Sequence, residues 1–387
     1  MARIWNKHKL AKTLLKKKVF VGMSGGVDSS VAAWLLKKRG YEVVGVFLRG
    51  WSVDGCADRD AEDARRAAGA IGVPFYVWDF EEEYRRRVVD YMIDGYRRGV
   101  TPNPDVMCNK EIKFGVFFER AMAMGADFVA TGHYVRLVRG KGLSAGISHL
   151  FAAKDTNKDQ CYFLWTLTQN ELAHCLFPIG DFRKPEVREL ARRAGLPTAE
   201  KKDSQGICFL GRVSMGEFLR AFLPEQRGAL VTTAGEKIGE HYGSHFYTIG
   251  QRHIDADFSF PKTGGRADRL PFYVAAKDAA TNTVFVAEGV GNDALYRREV
   301  ELGSVNLIAL IAAQAVVPTE VYARVRYRQP LAKARLSRNP LASGSGGEDG
   351  ADVWRLVFAK PQKFVAPGQS AVFHSKSGEM LGGGVIL

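Results

Sequence analysis

Cysteine is scarce in this chain of 387 residues: Cys56, Cys108, Cys161, Cys175 and Cys208 are the five, and no two form a C-x-x-C pair. That spacing argues against structural zinc and ferredoxin-like iron–sulfur sites. An odd count with no signal-peptide pattern also argues against a disulfide framework, so we expect a cytoplasmic protein whose cysteines are buried or reactive. No run of eighteen or more apolar residues occurs, and neither a transmembrane helix nor a membrane partner is expected. Acids are the minority charge, 42 against 55 Lys and Arg, and the resulting +13 favours a polyanionic partner. Part of that surplus is local. MARIWNKHKLAKTLLKKK holds seven Lys or Arg and no acid, and reads as a solvated basic lead-in over 1–18. A transit peptide would be richer in Arg and Ser.

What is present divides into two or three domains by length. The first half alternates strand and helix. VFVGM precedes the helical SSVAAWLLKKRG, EVVGVFL precedes DRDAEDARRAAGAIG, and VPFYVWDF precedes the long helix EEEYRRRVVDYMIDGYRRG. The loop TPNPDVMCN leads into helical KFGVFFERAMAMG and the strand ADFVATGHY. Repeated β–α units imply a parallel sheet flanked by helices, with ligands beyond the carboxyl ends of its strands. From about 150 to 215 helices are expected to dominate: QCYFLWTLTQNELAHCLF, then PEVRELARRAG with Pro185 in its first turn. After about 225 come short β-type runs, HFYTIG, FYVAAKD, TVFVAEG, VYARVRYR, VWRLVFA and AVFHS, read as one or two all-β modules.

The motif with chemistry in it is VFVGMSGGVDSSV, residues 19–31. It lacks the lysine of a G-K-[ST] loop and the G-x-G-x-x-G spacing of dinucleotide folds. Gly25 and Gly26 let backbone N–H groups approach an anion, Ser24 and Ser29 add hydroxyls, and the following helix adds its dipole. Asp28 would repel a phosphate unless a magnesium ion lay between them. Such a site suits pyrophosphate as a leaving group, hence adenylation. The bland alternative is a glycine-rich β–α turn.

TPNPDVMCNKEIKFG comes next. Pro102 and Pro104 hold the chain extended and present Asn103 and Asp105 rigidly before Cys108. Lys110, Lys113 and a nearby helix start would stabilise a Cys108 thiolate. Cys208, in the polar loop KKDSQGICFLG, is its natural counterpart. Cys161 and Cys175 sit in apolar patterns and read as packing residues, and Cys56 as a bystander.

S-G-G-V-D-S after a first strand resembles the PP-loop signature of the ATP pyrophosphatases. With GMSGGVDSSV, TPNPDVMCNKEIKF, ATGHYVR, KDQCYFLWTL, KKDSQGICFLG, YTIGQR and PGQSAVF in this order, the chain from about residue 19 closely resembles the tRNA-specific 2-thiouridylases. The resemblance implies an α/β fold, with an adenine nucleotide alpha-hydrolase-like PP-loop domain at 19–214. A central β-rich domain at 215–294 and a C-terminal β-barrel at 295–387 would complete it. It implies a tRNA-uridine 2-sulfurtransferase that adenylates the C2 oxygen of the wobble uridine and inserts sulfur, releasing AMP and pyrophosphate. Gly22, Met23, Ser24, Gly25, Gly26, Val27, Asp28 and Ser29 would bind ATP with Leu48 and Gly132, Asp28 holding the Mg2+. Asn103, Pro104 and Asp105 would contact the target uracil, with His133 nearby. Lys158, Asp159, Gln160, Arg326, Tyr327 and Gln369 would contact tRNA. Cys208 would carry a persulfide from a sulfur relay or cysteine desulfurase, and Cys108 would act with it, with a Cys108–Cys208 disulfide as the end state. Asp105 completes the catalytic set.

Arg324, Arg326 and Arg328 fall at period two in VYARVRYR, so they are expected on one strand face, either against phosphate or as a solvated edge. Two departures from the family stand out. YTIGQR continues HIDADFSF where a Gly-Leu-Gly stretch is usual, and a Ser/Gly/acidic insertion occupies 343–351. Two other readings compete. Another PP-loop enzyme that amidates or ligates would leave the paired cysteine loops unexplained. An RNA-binding protein on a degenerate nucleotide fold would not need Ser24, Asp28 and both cysteines.

Overall fold

The computed structural model describes residues 16–53, 57–140, 146–203, 213–259, 270–308, 319–338 and 353–387. Cys56, Cys208, most of the basic lead-in and the 343–351 insertion lie outside them.

The first sheet contains β1 (Lys18–Gly22), β2 (Glu42–Arg49), β3 (Phe75–Asp79) and β4 (Phe128–Ala130). A hairpin of β5 (Val135–Arg139) and β6 (Ser148–Ala152) comes after them, and β7 (Cys175–Leu176) returns to the first sheet. Its order is β3-β2-β1-β4-β7 with every pairing parallel. The continuous apolar run of β1 is buried on both faces, which is why it is central. Val19 and Val21 pack with Val31 and Leu36 of helix α1 (Val27–Lys38). Phe20 faces the other way, onto Trp78, Val88, Met92 and Phe117. Strand order reverses beside β1, so the carboxyl ends of β1, β2 and β4 open one crevice.

Several expected elements are revised. The long helix after β3 is continuous over 81–97 but carries a π segment at Arg85–Val89. The helix expected from KFG starts earlier, at Pro104, and is π-wound over Cys108–Val116. QCYFLWTLTQNELAHCLF is not one helix: it holds a 3-10 turn at Cys161–Leu164 and a short helix at Gln169–Ala173. The Thr168–Glu171 capping box starts that helix afresh, and Cys175 is on β7. Cys161 and Cys175 are buried packing residues as expected, and burial pushes both thiols up.

The second sheet takes β8 (Gly228–Thr232), β9 (Lys237–His241), β10 (Ala256–Phe258), β11 (Phe272–Asp278) and β12 (Thr283–Glu288), in the order β10-β9-β8-β12-β11. Leu230, Ile238, Val274, Val284 and Val286 form its core. HFYTIG, expected as a strand, is a 3-10 turn at Ser244–Phe246 and then Gly250 at φ +85°. The third sheet holds β13 (Tyr296–Leu307), β14 (Thr319–Arg324), β15 (Ala332–Arg338), β16 (Trp354–Lys363), β17 (Ser370–His374) and β18 (Glu379–Ile386). β18 pairs back to β13, so these six close into an antiparallel barrel. β6 adds to it through Phe151 and Leu150 opposite Glu379 and Met380, so a hairpin from the first half belongs to the last sheet.

The arginine stripe is also revised. β14 ends at Arg324, and Arg328 has φ +66°, so the three side chains share no strand face. Arg324 instead lies 3.6 Å from the buried Asp159 carboxylate.

Lys277 on β11 is half-buried and donates to Tyr247 O at 2.6 Å, and burial lowers its ammonium to about 8. An unfolded lysine titrates near about 10.4, so between the two values the unfolded state binds more protons and stability rises with pH. Wild type should therefore gain stability relative to Lys277→Met from about pH 8 to about pH 10. Urea titrations across that range measure it, and a constant difference would show that the ammonium is not disfavoured.

Candidate active site

The crevice is floored by the turn between β1 and α1. Gly25 has φ +73°, and a Cβ there would stand 2.3 Å from Asp60 O, so the turn packs directly on the helix Ala57–Ile71. Ser29 Oγ accepts from Ser24 N at 3.1 Å and lies 3.3 Å from Ser24 Oγ. Gly26 caps α1 without a side chain, so the first-turn N–H groups keep their anion-binding direction. Gly132, beyond β4, lies so close that a Cβ would be 2.6 Å from Ser29 N.

Asp28 is held from two sides. Lys184 Nζ donates to both carboxylate oxygens at 2.8 Å, and Tyr134 Oη donates to Oδ1 at 2.8 Å. Burial and the Asp28 carboxylate push the Tyr134 hydroxyl well up, so it stays protonated and donating. Lys184 also meets Asp203 at 2.8 Å, which binds Lys158 at 2.7 Å and Arg188 at 2.8 Å. Burial opposes ionisation of Asp203, but hydrogen bonds from Lys158 and Lys184 outweigh it and hold the carboxyl at about 2. Sequence reasoning missed Lys184, Tyr134 and Asp203. Tyr134 and Asp203 lie within the quoted motifs ATGHYVR and KKDSQGICFLG, whereas Lys184 only precedes the quoted helix PEVRELARRAG and no motif contains it.

A cavity of about 570 Å³ joins this turn to the proline-bounded loop. Gly22, Met23, Ser24, Gly26, Val27, Asp28, Ser29, Leu48 and Gly132 line it, and so do Asp105, Cys108, Lys113 and His133. The loop is rigid for identifiable reasons. The Pro102 ring fills the space a Cβ on Gly95 would need, at 2.8 Å, and Asn103 caps the helix by accepting from Val106 N at 3.3 Å with Pro104 in the first turn. Cys108 is buried one turn into that helix, where the π segment begins. Such π turns recur at functional sites. Burial raises the Asp105 carboxyl, and the Lys113 ammonium partly offsets it. Burial, then Lys113, pushes His133 well below its usual range, leaving it neutral with Nδ1 2.7 Å from Thr131 Oγ1.

The remaining expected residues divide. Lys158, Gln160 and Tyr327 line the same cavity. Gln160 Oε1 accepts from Tyr134 N at 2.9 Å, and Tyr327 packs on Phe163 with ring centroids 4.5 Å apart. Asp159 is buried and accepts from Ala153 N and Cys161 N at 3.1 and 3.2 Å. Arg326 donates to Ile249 O at 3.0 Å, while Arg328, not singled out for the cavity, lines it. Gln369 donates to Thr101 O and Pro102 O, at 2.9 and 3.2 Å. Cys208 lies outside the described residues, but Lys201, Lys202 and Asp203, the first residues of its loop, line the cavity. Among the described residues no group of three or more His, Cys, Asp or Glu could hold a metal ion.

Family models match along the chain: a tRNA methyl transferase HUP domain at 17–212, a tRNA methyl transferase PRC-barrel domain at 216–288 and an aminomethyltransferase beta-barrel domain at 301–386. One solved structure with partial likeness is a 4-thiouridine synthetase–RNA complex with bound ATP, at 20% identity and TM-score 0.31, covering 51% of this chain and 46% of that one. Among curated proteins, tRNA-specific 2-thiouridylase MnmA of Streptococcus thermophilus (strain CNRZ 1066) is 43% identical over 378 residues, which is 96% of this chain and 95% of the relative. The protein of the same name from Streptococcus mutans serotype c matches at the same identity and coverage. With that identity across nearly the whole of both proteins, the chain belongs to the tRNA-specific 2-thiouridylase family.

Proposed function

We propose that this protein is a tRNA-uridine 2-sulfurtransferase that uses ATP to replace the C2 oxygen of the wobble uridine with sulfur. The observation that carries the reading is one cavity shared by the pyrophosphate turn and by Asp105 and Cys108. A uracil carbonyl oxygen leaves poorly. Attack of that oxygen on the α-phosphorus of ATP expels pyrophosphate and makes AMP the later leaving group. The turn 22–29, with Leu48 and Gly132, binds the nucleotide, and the α1 dipole and Ser24 and Ser29 receive the departing charge. Asn103, Pro104, Asp105 and neutral His133 hold the uracil. Lys158, Gln160 and Tyr327 meet the tRNA at the cavity, with Asp159 and Arg326 bracing that wall.

Cys208 carries a persulfide delivered by a sulfur relay or cysteine desulfurase. Its terminal sulfur attacks C2 and AMP departs. Cys108 thiolate then attacks Cys208 Sγ, leaving thiouridine and a Cys108–Cys208 disulfide that an external reductant reopens. Alternatively Cys108 first releases hydrosulfide, with the same disulfide as end point.

Mg2+ keeps most of its waters and takes one or two carboxylates plus substrate phosphates. Asp28 fits that demand for an ion arriving with the nucleotide, and with Lys184 on both oxygens it does not describe a resident metal cage. When bound there, the ion neutralises charge on the leaving pyrophosphate.

We read the chain as lead-in 1–18, catalytic domain 19–214, central domain 215–294 and barrel 295–387. Three family-model spans support that division, as do the first and second sheets, which lie, but for Lys18, within 19–214 and 215–294, while the hairpin of β5 and β6 reaches from the catalytic domain into the barrel sheet. No helix among the described residues is long and apolar enough to cross a membrane, and a cytoplasmic setting suits the buried, unbridged Cys161 and Cys175. Nucleoside mass spectrometry of tRNA incubated with protein, ATP, magnesium and a persulfide donor tests the function. Wobble 2-thiouridine should accumulate only with all components present, and pyrophosphate release without any thiolated nucleoside would defeat the reading.

A further inference from the structure

By resemblance, Gln369 would touch tRNA. Its side chain is otherwise engaged. A glutamine amide has two N–H donors, and here Nε2 gives hydrogen bonds to two consecutive carbonyls, Thr101 O at 2.9 Å and Pro102 O at 3.2 Å. Two acceptors facing one atom fix that atom as nitrogen, so no amide donor remains for RNA. The neighbours of Gln369 repeat the pattern. Thr101 N donates to Pro367 O at 2.8 Å, and a Cβ on Gly368, at φ +87°, would stand 2.9 Å from the Thr101 backbone. Ser370 O accepts from Tyr162 Oη at 2.8 Å, and Ser370 Oγ accepts from Trp165 Nε1 at 3.0 Å. The clamp is anchored in the barrel, where Ile386 N donates to Gln369 O at 2.8 Å.

We propose that Gln369 is a positioning residue through which the C-terminal barrel holds the loop 101–105, so that the barrel forms part of the reaction site. Thr101 and Pro102 immediately precede Asn103, Pro104 and Asp105, and Cys108 sits on the helix that this loop opens. Pro102 removes one backbone donor from the loop, and its carbonyl and that of Thr101 are the groups the barrel grips. The proposal rests on the thiolation reading and assigns Gln369 to geometry within it.

The discriminating variants are Gln369→Glu, which keeps the shape but turns acceptors toward two carbonyls, and Gln369→Ala. With the full-length protein, single-turnover thiolation at saturating tRNA should fall about 10- to 100-fold, as expected for reacting groups displaced by up to about 1 Å. The dissociation constant for tRNA should stay within about twofold, since phosphate and base contacts are untouched. Residue-resolved mass spectrometry should show an altered rate of Cys108 alkylation by iodoacetamide in the Glu variant. Tenfold weaker tRNA binding with an unchanged saturating rate would make Gln369 an RNA contact and overturn the proposal. Lowered thermal stability with rate, affinity and alkylation all unchanged would overturn it equally. If the wild type itself yields no thiouridine, the thiolation reading fails, and the alkylation comparison still decides whether the clamp exists.

Discussion

Replacing Asp28 with alanine should abolish pyrophosphate release while leaving the protein folded. Asp28 is the one carboxylate within the glycine turn, at the first turn of α1, and although Lys184 offsets its charge at 2.8 Å from both oxygens, the carboxylate still meets a triphosphate with like sign. A bridging cation reverses that sign. Loss of one fixed electrostatic group of this kind costs about 10²- to 10³-fold in rate, and more if the metal goes with it. The fold should survive because Lys184 keeps Asp203 at 2.8 Å and, among the described residues, Tyr134 Oη is the only other donor released. The stability cost is about 1–3 kcal/mol for the unmade hydrogen bonds. A continuous pyrophosphate assay with a magnesium titration reads the effect, and thermal unfolding monitors the fold. Magnesium-dependent release at the wild-type rate would remove Asp28 from the mechanism.

The two cysteines should fail in different ways. Cys208→Ser should abolish both persulfide loading and thiolation. Cys108→Ser should still load sulfur on Cys208 yet stop before turnover, because no thiol remains to resolve the transfer. Placement is the reason for the assignment. Cys108 is 5% exposed on the cavity wall, behind a loop held by Pro102, the Asn103 cap and Gln369, so it is suited to act only within the site. Cys208 lies five positions beyond Asp203, which lines the same cavity as Cys108, so the chain leading to Cys208 departs from the cavity wall. Both variants should bind ATP normally, since neither cysteine belongs to the turn 22–29. Mass spectrometry after exposure to a persulfide donor, with thiolated-tRNA yield alongside, separates the roles. Persulfide on Cys108 and never on Cys208 would reverse them, and full thiolation by either variant would end the two-cysteine mechanism.

Local signals in the chain were enough for the parallel sheet, the strand–turn–helix at 18–38 and the rigid loop at 101–105. Each of these depends on neighbours a few positions apart: apolar runs in strands, glycines where φ is positive, prolines that restrict the backbone beside them. The same locality explains the errors. VYARVRYR has the period of a strand throughout, but pairing with β15 and β17 stops by Arg324, and Tyr327 and Arg328 turn toward the cavity. The hairpin 135–152 had no strong local mark and takes its place from the barrel strand it joins. Side-chain partnerships were beyond local reading altogether. Lys184 meets Asp28 across 156 residues, and Gln369 meets Thr101 across 268. Residue type and spacing marked which groups are candidates for the chemistry, because reactivity begins with the group and its immediate backbone. Which cation neutralises Asp28, and which side chain grips the carbonyls of the loop at 101–105, were decided only when packing brought distant segments within 3 Å.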